Sequence, residues 1–390
     1  MISDARERGP ADGEQHMTDG GPVDGLEAAG GPLLPRRAVT TALASAVALG
    51  LAGCTSSGRE STPVPRPTPS PTPSPTPTPT PTPEPRWPLT GAPLEGDLPG
   101  RPALSVKIEN SAQARPQSGL EDADIVWEEM VEGGITRFSA VYHSVVPEVL
   151  GPIRSIRPMD AAIAAPVGGL LVFSGGLAPY VNRARDAGLQ VISHDGGGSG
   201  FYRADHRRAP HNLYGSGEAF LDQATGSPSG PPDDLLHFAE ESDDATAATD
   251  GDRAPSVDLS FPSANPGWTW QPDARSGRGV GPGCWRRSES GSLQSSEDGD
   301  PVLATNVVVL RVPVEMTGRR DVSGAAVPET ILQGEGEGVV FSRGRAVDVA
   351  WAKGEAAEPL RITRGGDPVL LAPGITWIEL LPISGSSISY

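Results

Sequence analysis

Cysteine, lysine and metal-binding histidine patterns are scarce in this chain of 390 residues. Its two cysteines, Cys54 and Cys284, exclude a disulfide framework and any site built from several cysteines. The six histidines form no HxH or HExxH spacing, so we expect no metal and no other cofactor. The net charge of -18, with only two lysines, argues against a nucleic-acid partner, because binding phosphates requires clustered Lys and Arg.

An export signal occupies the start of the chain, within residues 1–53. An acidic, Gly-rich lead, expected to be disordered, precedes Arg36-Arg37 and an apolar run from Ala38 to Ala52. A run of about 15 apolar residues is too short to span a bilayer but typical of a signal-peptide core. The tetrapeptide Leu51-Ala52-Gly53-Cys54 then matches the bacterial lipobox. In lipoproteins with this pattern the chain is cut before the cysteine, whose sulfur carries a diacylglyceryl group built from fatty acids such as palmitate.

We therefore expect Cys54 to be the lipid-attachment site and the protein to lie at the extracytoplasmic face of the cell membrane. Two questions about the export signal stay open. Arg36-Arg37 fits either a twin-arginine signal or an ordinary charged n-region, and translation begins at Met1 or at Met17.

A proline-rich linker, residues 54–86, separates the lipid anchor from the rest of the chain. Thr-Pro and Ser-Pro alternate along it, and proline favours extended polyproline II because it fixes φ and lacks an amide donor. At about 3 Å per residue, roughly 32 residues reach on the order of 100 Å. The sequence therefore predicts a stalk that holds a folded domain away from the membrane.

An α+β fold is predicted for residues 87–224 and a mostly β fold for residues 257–390, with an acidic, disordered insertion at 225–256 between them. A second acidic stretch, 272–301, is predicted to be a long loop. The predicted strands are Ala103–Glu109, Asp124–Met130, Thr136–His143, Leu170–Phe173, Val257–Phe261, Trp268–Gln271, Thr305–Val312, Val339–Phe341, Val347–Trp351, Leu360–Thr363, Val369–Leu371 and Thr376–Leu380. The predicted helices are Met159–Pro166, Pro179–Ala187 and Gly217–Gln223.

Five short blocks carry most of the information in the first half. They read N-x-x-x-A-R-P-Q-x-G-L, A-D-I-V-x-E, E-G-G-I-T-R-F, G-P-x-R-S-x-R and P-H-N-x-Y, and they lie at Asn110–Leu120, Ala123–Glu128, Glu132–Phe138, Gly151–Arg157 and Pro210–Tyr214. Together they resemble the YerB-like lipoproteins, a bacterial family, from about Trp87 to Leu221. A weaker resemblance runs from about Val257 to Pro382. The resemblance to this family implies a lipid anchor and a layered sandwich of β-sheet and helices, but it implies no reaction.

Candidate ligand-binding residues lie in these blocks because arginine forks pair with carboxylates and phosphates in two-point contacts. They are Arg115, Glu128, Glu132, Arg137, Arg154, Arg157, His211 and Asn212. One hypothesis is a cleft that holds an anionic envelope ligand. The alternative is an internal Arg–Glu network that ties loops to the sheet.

We expect a non-catalytic binding or scaffolding role at the cell envelope. The partner would be the membrane through Cys54, and in addition a cell-wall glycan or peptide or another envelope protein. The alternative is an envelope hydrolase that uses Glu128 and Glu132 as acid and base, or His211 as a base for Ser155. No G-x-S-x-G motif supports a serine nucleophile.

Overall fold

A computed structural model describes residues 84–226, 230–275 and 282–390. The predicted signal peptide, Cys54 and nearly all of the predicted stalk lie outside these residues. The first half contains β1 (Leu104–Glu109), β2 (Ile125–Met130), β3 (Thr136–Tyr142), α1 (Asp160–Ala164), β4 (Leu170–Phe173), α2 (Ala178–Asp186), β5 (Gln190–Ser193), β6 (Phe201–Arg203), β7 (Leu213–Gly215) and α3 (Gly217–Leu221).

The remaining elements follow in chain order. They are α4 (Thr246–Asp250), β8 (Asp252–Arg253), β9 (Ser256–Ser260), β10 (Pro266–Gln271), β11 (Cys284–Glu289), β12 (Ser292–Leu293), β13 (Leu303–Ala304), β14 (Asn306–Val312), β15 (Val314–Arg320), β16 (Ala326–Thr330), β17 (Gly334–Ser342), β18 (Arg345–Lys353), β19 (Arg361–Arg364), β20 (Asp367–Pro368), β21 (Thr376–Pro382) and β22 (Ser387–Ser389).

One large mixed sheet joins the two halves of the chain. Its strand order is β20-β19-β18-β17-β14-β21-β2-β3-β1-β4-β5, and β8 pairs with β18. The joint is β21, which runs parallel to β14 on one side and to β2 on the other, where Glu128 lies opposite Glu379. The two predicted domains therefore share a single sheet.

The second sheet packs against one face of the large sheet. Its order is β12-β11-β10-β9-β22, and β13 pairs with β11. The apolar core between the two sheets includes Val106, Phe138, Trp268, Trp285 and Trp377, each nearly or fully buried. The opposite face of the large sheet packs against α1 and the segment before α4.

Local sequence explains several boundaries. Ser216 accepts a hydrogen bond from the Ala219 amide and caps α3. Arg343 and Gly344, with φ of 55° and 71°, form the two-residue turn between β17 and β18. Positive φ at both central positions is what a type I′ hairpin requires. The hairpin predicted there is present, as is the one at Gly365-Gly366 between β19 and β20.

Two acidic stretches differ from their predicted loops. In the described part of 225–256, helix α4 and strand β8 are formed and Leu236 and Ala247 are buried in the core. In 272–301, β11 brings Trp285 into the core between the sheets. The third difference is Val369–Leu371, which forms no named strand; Leu371 instead makes a single bridge to Phe238. In the two acidic stretches a few spaced apolar side chains are buried although the surrounding composition is polar.

Candidate functional site

The candidate site lies at the edge of the large sheet where the parallel strands β1, β4 and β5 end. Segment 151–157 enters between the ends of β1 and β4. The Arg154 amide donates a hydrogen bond to the Lys107 carbonyl, and the Ser174 amide donates one to the Arg154 carbonyl, each at 2.9 Å. Ligands of open sheets bind outside the carboxyl ends of parallel strands where neighbouring connections diverge. The block Gly151–Arg157 thus lies at a suitable edge.

Glu109, the last residue of β1, organises the accessible part of this edge. Its Oε1 lies 2.8 Å from His211 Nδ1 and accepts a hydrogen bond from Ser111 Oγ, also at 2.8 Å. Its Oε2 lies 3.4 Å from Arg154 Nε. The Arg154 and His211 side chains are 23% and 25% exposed, whereas the Glu109 side chain is 4% exposed. A buried carboxylate therefore orients two partly exposed cationic or polar groups.

Glu132 forms the buried half of the site. Its two carboxylate oxygens lie 2.5 and 2.8 Å from Arg157 Nε and Nη2, and Arg137 Nη2 is 3.8 Å away. Arg137 Nη1 also donates to the Ser155 carbonyl at 3.3 Å. Burial, together with the charge of Arg157, lowers the pKa of Arg137 to about 10, although Glu132 partly offsets this. Positive charge is thus crowded at this end of β3.

A hairpin from the second half of the chain reaches this buried group. Asp321, in the turn between β15 and β16, places Oδ2 3.7 Å from Arg157 Nη2. Burial raises the pKa of Asp321, but hydrogen bonds from Ser323 and the Ala325 amide and the charge of Arg157 lower it overall. A second carboxylate of this buried group is therefore contributed by a distant part of the sequence.

Arg115 and Asn212 lie beside the accessible group. Arg115 is half-buried and donates through Nε to the Ser111 carbonyl at 3.4 Å. Asn212 is buried, accepts a hydrogen bond from Arg203 at 2.8 Å and donates to the Ala204 carbonyl at 3.3 Å. Asn212 thus holds the ends of the β6–β7 loop together. Arg115 lies on the separate segment that contains Ser111.

Glu128 lies apart from the other candidates, on the face of the large sheet that meets the second sheet. Its side chain is fully buried, with Oε2 2.6 Å from Arg287 Nη2. Oε1 accepts hydrogen bonds from Thr136 Oγ1 at 2.6 Å and Asn110 Nδ2 at 3.3 Å. This carboxylate has its partners in the interior and is not brought together with Glu132.

Arg287 was not among the candidates, because it lies in the stretch predicted as a loop. Its guanidinium group lies 5.3 Å from the ring centres of Phe138 and Trp377 and 5.8 Å from that of Trp268. Burial and the nearby Glu128 carboxylate raise the pKa of Glu379 well above its usual value, although Arg287 opposes this. The shift favours the protonated form of Glu379, which can donate a hydrogen bond to Glu128.

Sequence reasoning also missed Glu109 and Asp321. A glutamate at the end of a predicted strand was a signal for Glu109, since such an end lies at the sheet edge. No local signal indicates Asp321, whose proximity to Arg157 depends on the packing of β15 and β16. Within residues 84–226, 230–275 and 282–390, no three His, Cys, Asp or Glu side chains are grouped to hold a metal ion. No helix in those ranges is long and apolar enough to cross a membrane.

Comparisons with known proteins match both halves of the chain. Residues 89–229 match the family described as Protein of unknown function (DUF3048) N-terminal domain, and residues 257–378 match its C-terminal domain. The chain belongs to the DUF3048 family. It is 28% identical over 309 residues to the protein named "Putative lipoprotein YerB" of Bacillus subtilis (strain 168), covering 77% of this chain and 88% of YerB.

The crystal structure of YerB from Bacillus subtilis has a similar fold. It superposes with a TM-score of 0.65 at 25% sequence identity and covers 79% of this chain and all of the YerB chain. The resemblance to YerB-like lipoproteins seen in the five blocks is thereby confirmed, and the mixed, strand-rich character of the fold with it.

Proposed function

We propose that this chain is a lipoprotein, anchored through Cys54 to the extracytoplasmic face of the cell membrane, that binds an anionic component of the cell envelope without turning it over. The anchor is supported by the match of residues 51–54 to the lipobox and by the name of the YerB relative. Lipidation predicts that the wild-type chain fractionates with membranes. A Cys54→Ser variant should lose radiolabelled fatty acid, and equal labelling of both chains would contradict the anchor.

The binding role depends on one observation, the pairing of Arg154 and His211 around Glu109 at the sheet edge. Both side chains are about a quarter exposed, so each retains an accessible surface. Arginine favours two-point contacts with carboxylates and phosphates. The neighbouring carboxylate of Glu109 holds the guanidinium in place before a ligand arrives, which lowers the entropy cost of binding.

A binding assay against solubilised cell-wall fragments tests this role. We expect the wild-type chain to bind and the Arg154→Ala variant to bind at least about tenfold more weakly, since a charge-assisted contact is lost. Arg343→Ala is the matched control, because Arg343 is 24% exposed and also pairs with a carboxylate, Asp243, far along the sequence. Equal binding by wild type and Arg154→Ala would contradict this site.

An envelope hydrolase is the second candidate. The contact between Glu109 and His211 Nδ1 favours it, because a carboxylate that orients an imidazole is a common arrangement for a general base. The proposed nucleophile, Ser155, has its hydroxyl 3.2 Å from Ser174 Oγ. Glu132 already contacts Arg157 through both oxygens. If the wild type cleaves wall fragments and Glu132→Gln or His211→Asn does not, the protein is a hydrolase and the non-catalytic binding role is wrong.

A further inference from the structure

The loop between β6 and β7 is unusually basic for so acidic a protein. The stretch from Arg203, the last residue of β6, to His211 contains three arginines, two histidines and one carboxylate, Asp205, in a chain whose net charge is -18. Its arginines are Arg203, Arg207 and Arg208. The overall charge therefore conceals a local concentration of positive charge next to the candidate site.

Hydrogen bonds hold this loop against the segment that carries Arg115. Arg207 donates to the Gln113 carbonyl at 2.9 Å and to the Pro116 carbonyl. Arg154 donates to the Pro210 carbonyl at 3.5 Å, which ties the loop to the sheet edge as well. The fold thereby gathers five arginines from three separate segments. We call them the arginine rim: Arg115, Arg154, Arg203, Arg207 and Arg208.

Only part of the rim is neutralised. Arg154 pairs with Glu109, and Arg207 pairs with Glu297, whose Oε1 lies 2.6 Å from Arg207 Nη2. Among the described residues, Arg115, Arg203 and Arg208 form no ion pair with a carboxylate. Arg203 and Arg208 are exposed and Arg115 is half-buried. The rim therefore carries positive charge that the described part of the protein does not compensate.

We propose that the arginine rim binds a phosphodiester polyanion of the cell envelope. The proposal rests on the binding role argued above and names the class of ligand. Several arginines spread along three segments suit a chain of regularly spaced anions better than a single carboxylate. Each guanidinium offers a planar fork that matches phosphate oxygens, and linked phosphates release counterions when they bind.

The test uses the full-length lipidated chain in neutral detergent micelles and a fluorescent synthetic oligomer of glycerol phosphate. We expect the wild type to bind this oligomer. The affinity should fall by about tenfold or more between roughly 50 and 200 mM salt, because counterion release drives binding. An oligomer of glutamate of equal charge should bind more weakly, since its charges lie at the ends of flexible side chains whose ordering costs conformational entropy, whereas the phosphates lie in the chain itself.

The variant Arg203→Ala/Arg208→Ala should weaken oligomer binding by roughly tenfold. Arg253→Ala/Arg361→Ala is the control, because both residues are exposed on strands of the second half and the change in net charge is the same. Equal losses in the two variants would overturn the proposal, as would tighter binding of the glutamate oligomer or no binding of the glycerol phosphate oligomer with or without added lipid.

Phosphatidylglycerol added to the micelles identifies the source of the phosphates. If this lipid displaces the oligomer, the ligand of the rim is a membrane headgroup. If it does not, the ligand is a soluble or wall-linked polymer. The ligand carries phosphodiester groups in both cases. The wall-fragment assay separates the two proposals. If fragments bind in an Arg154-dependent manner while the oligomer does not, the binding role survives and only the ligand class is wrong.

Discussion

Two arginines of this protein, Arg287 and Arg154, pair with glutamates and yet occupy opposite environments. Arg287 is fully buried between the sheets, 2.6 Å from Glu128 and among three aromatic rings. Arg154 is 23% exposed and lies 3.4 Å from Glu109. A buried pair fixes how two layers fit together, because neither charge has an alternative in water. A rim pair retains a free surface and can exchange its partner for a ligand.

The largest effect is expected for the interior pair. Arg287→Met would leave Glu128 buried beside Glu379 without a cation, and we expect a loss of about 3–5 kcal/mol in the free energy of unfolding measured by urea denaturation. Arg343→Ala removes a partly exposed arginine and should cost about 1 kcal/mol or less. A loss of less than about 1 kcal/mol for Arg287→Met would break the distinction between interior and rim.

A second interior cluster should show a smaller loss that depends on pH. Lys107 contacts the carboxylates of Glu129 and Asp160, and all three are fully buried. Burial and the charge of Asp160 raise the pKa of Glu129 to about 7, although Lys107 opposes this. We expect Lys107→Met to lose about 2–4 kcal/mol of unfolding free energy at pH 8.

The sign of the pH dependence follows from the raised pKa of Glu129. The folded state binds this proton more tightly than the unfolded state, so the contribution to stability is present at low pH and is lost as pH rises through about 7. The deficit of Lys107→Met should therefore shrink at pH 5.5. A double variant with Glu129→Gln should be more stable than Lys107→Met at pH 8. This account is wrong if stability is regained neither by Lys107→Met at pH 5.5 nor by the double variant at pH 8.

Glu297 is 21% exposed and so less buried than the interior pairs. Its replacement should have a moderate effect on stability. Burial raises its pKa, but hydrogen bonds from Ser118, Arg207, His206 and Tyr214 outweigh burial and lower it to about 2. The stability that this carboxylate supplies is present above its unfolded pKa and disappears as pH falls from about 4.5 towards 2. Thermal unfolding of Glu297→Gln should show a weaker dependence on pH in that range than the wild type. If the unfolding temperatures of the two chains change equally with pH, Glu297 does not supply this stability.

The smallest effect on stability is expected at the rim. Arg154→Ala should change the free energy of unfolding by about 1 kcal/mol or less, since its ion pair is partly exposed. The same variant should lose binding to wall fragments. Chemical denaturation and the binding assay together separate the two contributions. A large loss of stability would show that Arg154 stabilises the fold in the same way as the interior arginine Arg287.

The sequence predicted the local elements of the first half well, because their patterns are strong. The strand Leu170–Phe173 matches its predicted bounds, and α2 differs by one residue at each end. Gly188, with φ of 88°, follows the end of that helix as expected. Strand β11 was missed because its sequence, CWRRSE, contains three charged residues. Burial of Arg287 depends on Glu128 and aromatic rings far away in the chain.

The candidate site was predicted in part. The five blocks contain Arg154 and His211, which the fold brings together around Glu109, although 56 residues separate Arg154 from Pro210, whose carbonyl it contacts. The sequence did not separate Glu128 from Glu132. Both lie near the end of β2, but Glu128 points to the sheet interface and Glu132 follows the strand in a bend. Only the alternation of side chains along β2 and the position of the second sheet distinguish them.

Strand β21 also constrains when this protein can fold. It supplies the parallel partner of both β2 and β14, yet it ends only eight residues before Tyr390. During synthesis the ribosome releases β2 more than two hundred residues before the strand that completes its pairing. The large sheet therefore closes only after β21 has been synthesised. Truncation before residue 376 would remove β21 and leave the two halves of the large sheet unable to join.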